Sequence, residues 1–141
     1  MTDLTLSRRF PVPPERLFEW VTRPERILKW WGPEGMTVPE SDIDFTRTGP
    51  WSSVMANAEG QRFKVSGHVT HVDPPRSVGF TWAWHDESDR RGDESHVTLT
   101  VTAAPEGAQL TIDHRDLAAD TAEHEAGWTS TLNKLTALLD T

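Results

Sequence analysis

The clearest pattern of apolar and polar positions lies at the C-terminal end of the chain. Over 121–139 the apolar residues recur at steps of three and four, so they share one stripe of a helix. The stripe consists of Trp128, Leu132, Leu135, Leu138 and Leu139. Asp120 and Thr121 are suitable N-caps, and Glu123 and Glu125 place negative charge in the first turns, where the helix dipole favours it. The pattern predicts one long amphipathic helix, whose stripe the rest of the chain must cover.

The N-terminal part of the chain has a strand pattern followed by two short helical patterns. Alternation over 3–10 predicts a first strand, which a run of prolines ends. The segments 14–22 and 24–31 are then predicted to be short helices, because a proline opens each one and the pair Gly32 and Pro33 stops the second. Helices this short cannot span a domain, so we expect them to close one end of it.

Six further strands are predicted between the short helices and the long one. Runs of alternating residues lie at about 38–46, 51–55, 62–72, 77–85 and 96–102, and around Leu110 and Ile112. Most are joined by short turn segments, which favours an antiparallel sheet. A sheet of about seven strands cannot lie flat on one helix, so we expect it to curve around the helix. Such a curved sheet leaves a groove or cavity wherever side chains do not fill its concave face.

Composition and charge narrow the classes of function. The chain has 141 residues, which predicts a single domain spanning 1–141. Its formal net charge of -8 argues against nucleic acid and anionic membranes as partners. It contains no cysteine, which excludes disulfides, thiolate metal sites and a cysteine nucleophile. Neither a signal peptide nor an apolar run of the roughly 20 residues that span a membrane is present. We therefore expect a cytoplasmic protein.

Four motifs, taken in order, resemble one known family. They are FPVPPERLFEWVT at 10–22, KWWGPEG at 29–35, EGQRFKVSGHVTHVDPPRSVGFTW at 59–82 and HEAGWTSTLNKLTALL at 124–139. Together they are similar to the homologues of the activator of heat-shock protein 90 ATPase, a branch of the START-like (SRPBCC) superfamily. The resemblance covers essentially the whole chain and implies an α+β helix-grip fold. In that fold a curved antiparallel sheet of about seven strands wraps around a long C-terminal helix, with two short helices after strand 1.

The histidines are the first candidates for chemistry. None of the six lies in a His-Glu-x-x-His motif, and the cluster of His85 with the acidic loop 86–94 is better explained as a solvated loop than as a metal site. His114 ends the last strand and His124 opens the long helix, so a turn can bring them close. They either form a polar pair at the mouth of a cavity or clasp the loop to the helix, and we favour the clasp.

The aromatic residues are the second candidates. Phe80, Trp82 and Trp84 share one strand face, and Trp128 lies on the helix stripe, so they either close the core or line an apolar pocket. The resemblance to a helix-grip fold favours the pocket. The predicted ligand-binding residues are Trp31, Met36, Met55, Phe63, Trp82, His96, Thr98, His114, Trp128, Thr131 and Leu132.

We therefore predict a protein that binds a small apolar or amphipathic molecule between sheet and helix, with no metal, no cofactor and no assigned reaction. One alternative is a protein-interaction module, either co-chaperone-like or dimerising through exposed aromatics, so a monomer and a homodimer both remain open. The other alternative is an enzyme that uses His114 or His96 as acid or base in the cavity. Because the chain has no Gly-x-Ser-x-Gly elbow and no phosphate-binding glycine loop, binding is favoured over catalysis.

Overall fold

A single antiparallel sheet frames the molecule in the computed structural model, which describes residues 2–117 and 122–139. The strands are β1 (Thr2–Phe10), β2 (Thr37–Asp42), β3 (Gly49–Ala56), β4 (Arg62–Asp73), β5 (Ser77–Trp84), β6 (Ser95–Ala104) and β7 (Gly107–Leu117). Their spatial order is β1-β7-β6-β5-β4-β3-β2, so consecutive strands from β2 to β7 are neighbours. Only the connection from β1 to β2 crosses from one edge of the sheet to the other.

The helices complete the predicted α+β helix-grip fold. They are α1 (Pro14–Thr22), α2 (Pro24–Ile27) and α3 (Ala122–Leu139). The first two carry the chain from β1 to β2, and α3 follows β7 and packs its apolar stripe into the curved sheet. Within 2–117 and 122–139, no helix combines the length and the apolar character of a membrane span.

The stripe of α3 agrees with its sequence pattern except at one position. Trp128, Leu132, Leu135 and Leu139 are all buried, whereas Leu138 is 38% exposed. Leu138 therefore lies at the edge of the stripe, because it is offset from the line that joins Leu135 to Leu139. The proposed caps Asp120 and Thr121 fall outside the described residues, as does the side chain of Glu123.

Two elements end earlier than the sequence pattern predicts. The second short helix ends at Ile27 rather than at residue 31, because the consecutive Trp30 and Trp31 are both buried and contact different partners. The indole N–H of Trp30 donates to the carbonyl of Trp20 at 2.7 Å. The strand predicted over 38–46 ends at Asp42, and the chain then turns so that Phe45 enters the core.

Candidate ligand-binding site

An aromatic cluster fills the deep part of the concave face. Trp31 lies at its centre, and its ring is 5.8–6.3 Å, centroid to centroid, from five other aromatic rings. These rings belong to Trp30, Phe45, Trp51, Trp82 and Trp128. Most pairs are edge-to-face, the arrangement that the quadrupoles of aromatic rings favour. The cluster therefore forms a large part of the core.

A cavity of about 350 Å³ remains between this cluster and α3. Three parts of the chain line it: the sheet, the long helix, and the loop that follows α2. The lining residues are Trp31, Gly32, Pro33, Met55, Phe63, Trp82, Trp84, His124, Gly127, Trp128 and Thr131. Most of this surface is aromatic or aliphatic carbon, which is the usual lining of small-molecule sites.

The rim of the cavity exposes two aromatic side chains. Phe63 on β4 is 41% exposed and Trp84 at the end of β5 is 37% exposed, although most large apolar side chains of the described chain are buried. The indole N–H of Trp84 donates to Nε2 of His124 at 3.3 Å, which joins the sheet to the start of α3. Exposed aromatics beside an apolar cavity are typical of a ligand entrance or a protein contact.

The loop over the cavity is fastened to the middle of α3. The ammonium of Lys134 donates to the carbonyls of Trp31 and Gly32 at 3.2 and 3.1 Å. The hydroxyl of Ser130 accepts the backbone N–H of Glu34 at 2.7 Å and donates to its carboxylate at 3.1 Å. Burial lowers the pKa of Lys134, and the nearby Glu34 opposes that effect. These bonds set the position of the loop that supplies one wall.

Few polar atoms line the cavity. The hydroxyl of Thr131 donates to the Gly127 carbonyl at 2.9 Å, which is a local bond within α3. The buried indole Nε1 of Trp82 has no acceptor among the described residues. A bound molecule would therefore make mostly apolar contacts, with orientation left to a small number of polar groups.

His114 lies behind the cavity wall rather than in it. Its side chain is fully buried, and it accepts the indole N–H of Trp128 at Nδ1 over 3.1 Å. Because an indole N–H can only donate, the imidazole proton is on Nε2 and is donated to the hydroxyl of Ser95 at 2.7 Å. That hydroxyl in turn reaches the carbonyl of Trp82 at 3.3 Å. Burial, followed by the charges of His124 and His96, lowers the pKa of His114 to about 3.

His114 and His124 do approach each other as the sequence predicts. Their ring centroids are 5.0 Å apart. His124 lines the cavity, but His114 is sealed from it, so they do not form an exposed polar pair. The geometry agrees with the favoured interpretation, in which the pair joins the end of β7 to the start of α3.

Six of the eleven predicted site residues line the cavity: Trp31, Met55, Phe63, Trp82, Trp128 and Thr131. Three of the other predicted residues do not line the cavity: Met36 packs against the core, Leu132 lies within the core, and His114 lies behind the cavity wall. The prediction omitted Gly32, Pro33, Trp84, His124 and Gly127. The helical steps from His124 to Gly127, Trp128 and Thr131 are a signal that could have identified the helix residues among these.

His96 and Thr98 lie on the outer face of β6. Val97 and Leu99 of the same strand are buried towards the core, so the residues that alternate with them face away from the cavity. The side chain of His96 is 53% exposed and lies 3.7 Å from a carboxylate oxygen of Asp116. We therefore leave His96 and Thr98 out of the proposed site.

Neither of the two residues predicted as acid or base, His114 and His96, lines the cavity. His114 has no access to it, and its imidazole nitrogens bind Ser95 and Trp128 rather than a carboxylate. His96 faces the opposite side of the sheet. Among the residues that the structure describes, no group of three or more histidine, aspartate or glutamate side chains could hold a metal ion.

Comparison with known proteins gives one family and many structural neighbours. The chain matches the family model described as activator of Hsp90 ATPase homolog 1-like protein over residues 11–140. The crystal structure of the AHSA1 protein from Silicibacter pomeroyi is 59% identical, with a TM-score of 0.94, and the match covers 99% of this chain and 98% of that one. Among functionally curated proteins, no significant match was found.

More distant structures share the fold. A protein from Chromobacterium violaceum is 23% identical with a TM-score of 0.86, and the match covers 100% of this chain and 99% of that one. A solution structure from Arthrobacter aurescens is 19% identical with a TM-score of 0.83, covering 98% and 86%. These two likenesses concern the architecture alone.

Proposed function

The chain belongs to the activator of Hsp90 ATPase homolog 1-like family, and we propose that it binds a small apolar or amphipathic molecule in the cavity between β3–β5 and α3. The observation that carries this proposal is the cavity of about 350 Å³ walled by aromatic side chains. Its size is at the lower end of the roughly 300–1,000 Å³ of small-molecule sites. Folds of this family commonly bind hydrophobic ligands.

The composition of the wall indicates the chemical class of the ligand. Trp31, Trp82 and Trp128 line the cavity, and their contacting rings offer it flat apolar surfaces. Burial of apolar area would supply most of the affinity, at about 25 cal/mol per Å². A ligand with one aromatic ring or a short hydrocarbon chain fits this volume and surface, and any polar end would face the entrance at Trp84 and His124.

Gly127 supports a cavity that is kept open. Glycine in the middle of a helix costs about 1 kcal/mol relative to alanine. A Cβ added at Gly127 would meet only the ring of Pro33, at an ordinary contact distance of 3.8 Å. Helix packing therefore does not require glycine at this position. Its lack of a side chain leaves space in the cavity wall, which is consistent with a site for a ligand.

Native mass spectrometry of the purified protein tests the proposal first. We expect a reproducible small molecule carried by the protein, or stoichiometric binding when a neutral apolar fluorophore such as N-phenyl-1-naphthylamine is added. The decisive variant is Gly127→Leu, whose side chain would enter the cavity from α3. It should weaken fluorophore binding at least about tenfold, a loss of about 1.4 kcal/mol, while the protein stays folded.

Ala126→Leu is the matched control, because Ala126 is the adjacent residue of the same helix and is exposed. It adds the same side chain outside the cavity and should leave binding unchanged. Equal binding by the wild type and Gly127→Leu would overturn the proposal. A ligand-free protein that binds no apolar probe and self-associates through Phe63 and Trp84 would favour the interaction module instead.

A further inference from the structure

A second site, which is polar, lies on the outer face of the sheet, opposite the apolar cavity. Ser66 is on β4, and His85 follows the last residue of β5. The loop 86–91 folds back over this face and leaves a groove of about 380 Å³ beside Ser66, His85 and Arg91. None of these three residues lines the apolar cavity, so the groove is a separate feature of the molecule.

Ser66 and His85 line the groove, and the neighbouring Asp89 completes a hydrogen-bonded series of three side chains. Nε2 of His85 is 2.6 Å from the hydroxyl oxygen of Ser66, and Nδ1 of His85 is 2.8 Å from a carboxylate oxygen of Asp89. A carboxylate can only accept, so Nδ1 carries the imidazole proton. Nε2 is then the acceptor for the hydroxyl proton of Ser66. This is the hydrogen-bond order of a serine, base and carboxylate triad, which is recognised by geometry rather than by chain order.

The loop that supplies the imidazole and the carboxylate is held by its own hydrogen bonds. The backbone N–H of His85 donates to the Lys64 carbonyl at 2.9 Å. The carboxylate of Asp86 accepts the N–H groups of Ser88 and Arg90 at 2.8 and 3.0 Å. The His85 side chain is only 9% exposed, so these contacts hold the base in a fixed orientation towards Ser66.

The charges around the groove suit the transfer of a proton from Ser66. Lys64 lies 3.3 Å from the carboxylate of Asp89, and its hydrogen bond, followed by that of His85, lowers the pKa of Asp89. The guanidinium of Arg91 donates to the hydroxyl oxygen and to the carbonyl of Ser66, both at 3.0 Å, and contacts Glu94 at 3.2 Å. A guanidinium has five N–H groups, so two are left over from these three contacts and could serve a developing oxyanion.

We propose that Ser66 is a nucleophile activated by His85 and Asp89, and that this groove accepts acyl groups from small activated carboxylic esters. The Ser66 oxygen bonds to the carbonyl carbon while its proton moves to Nε2 of His85. The ester C–O bond then breaks, and the leaving alkoxide takes that proton. Water deprotonated by His85 attacks the acyl-Ser66, releases the carboxylic acid and restores the hydroxyl. Asp89 is a positioning residue, because it acts only through His85.

A fluorophosphonate probe tests whether Ser66 is activated. Its phosphorus bonds to the serine oxygen as fluoride leaves, so labelling adds one probe mass that peptide mapping assigns to a residue. We expect the label on Ser66 and a slow release of nitrophenolate from p-nitrophenyl acetate. Ser66→Ala should abolish both, and His85→Gln should reduce the labelling rate by about 10²-fold or more. Asp89→Asn should lower the rate and change its pH profile while the melting temperature is unchanged.

The chain contains a matched control pair. Ser77 lies 3.2 Å from Nε2 of His71. The neighbouring carboxylate of Asp73 pairs with Arg76 instead of an imidazole. Ser77→Ala should therefore leave labelling unchanged. An unlabelled wild type, a label mapped to Ser77 or another residue, or full labelling of His85→Gln would overturn the proposal. Because peptide mapping uses the wild-type protein, its result depends neither on the folding of any variant nor on the apolar cavity.

Discussion

At the scale of single residues, His114 and Trp128 join three elements of the molecule, one helix and two strands of the sheet. The indole N–H of Trp128 on α3 donates a hydrogen bond to His114 on β7. The imidazole N–H of His114 in turn donates a hydrogen bond to Ser95 on β6. Buried polar groups are expensive unless they are paired, so this chain of bonds specifies one arrangement of helix against sheet. Its requirement for a neutral imidazole makes the arrangement sensitive to pH.

His114 should make the stability of the protein fall in acid. The unfolded chain binds the proton near the ordinary pKa of 6.5, whereas the native state binds it only near about 3. Between these values the unfolded state binds more protons than the native state, so the free energy of unfolding decreases as the pH falls. The contribution of His114 to stability is therefore complete above pH 6.5 and is lost as the pH falls towards 3. At about 1.4 kcal/mol per unit, the loss approaches about 5 kcal/mol.

Urea unfolding of the wild type and of His114→Gln at several pH values measures this effect. The variant should be less stable at neutral pH, because the partners of the imidazole are disturbed, and its stability should depend less steeply on pH between 6.5 and 3. The same slope in both proteins would assign the acid sensitivity to other groups.

Trp128→Ala should destabilise the protein by about 3–5 kcal/mol, the usual cost of removing a large buried aromatic side chain. Trp128 is 5% exposed and contacts Trp31, Trp82 and His114. Trp128→Phe separates packing from hydrogen bonding, since it keeps a ring but removes the donor to His114. We expect about 1–3 kcal/mol for that variant. A loss below about 1 kcal/mol for Trp128→Ala in chemical denaturation would contradict the role given to this residue.

At the scale of elements, the position of the loop over the cavity depends on α3. Lys134 and Ser130 are one helical turn apart and bind the backbone at Trp31, Gly32 and Glu34. The loop thus gains its order from contacts with a helix almost a hundred residues later in the chain. Local unfolding of such a segment costs less than global unfolding, so we expect the stability of this wall to depend on these few bonds.

Ser130→Ala should loosen this loop with little effect on the rest of the fold. It leaves the backbone N–H of Glu34 without its 2.7 Å acceptor, at a cost of about 1 kcal/mol. Hydrogen exchange of peptides covering 31–36 should accelerate about fivefold, while exchange of β5 and β6 stays the same. Asn133→Ala is the control, because Asn133 accepts from Arg8 rather than from the loop. Equal acceleration in both variants would show a general effect of weakening α3.

At the scale of the whole molecule, the sheet and α3 enclose both the core and the cavity, so ligand binding and folding are linked. A ligand that binds only the native state stabilises it in proportion to the logarithm of its concentration. The apolar cavity and the polar groove lie on opposite faces of the sheet, so the two proposed sites need not interfere with each other.

A molecule that binds in the cavity should raise the melting temperature. At a hundred times its dissociation constant the ligand adds about 2.7 kcal/mol, which corresponds to several degrees for a domain of this length. As the concentration of N-phenyl-1-naphthylamine increases, the melting temperature of the wild type should therefore rise, whereas that of Gly127→Leu should remain nearly constant. An equal or larger rise for Gly127→Leu would mean that the probe binds elsewhere on the protein.

The sequence by itself determined the order of the elements, the buried faces and the long helix. These features follow from local periodicity: the alternation of Val97 and Leu99 with polar neighbours assigns one face of β6, and the steps from Trp128 to Leu135 assign the stripe of α3. The family resemblance then supplied the curved arrangement, and the sheet order agrees with it. The helical periodicity wrongly extended the second short helix to residue 31. The helix ends at Ile27 instead, because Trp30 and Trp31 are both buried in the core.

Only the tertiary structure decided which side chains fill the core and which line the cavity. Trp51 and Trp82 have the same pattern in sequence, yet only Trp82 lines the cavity, because that depends on the curvature of the sheet and the position of α3. The sealing of His114 and the meeting of Ser66 with His85 depend likewise on strand register and on a loop that folds back. Such contacts join residues distant in sequence, so no local pattern records them.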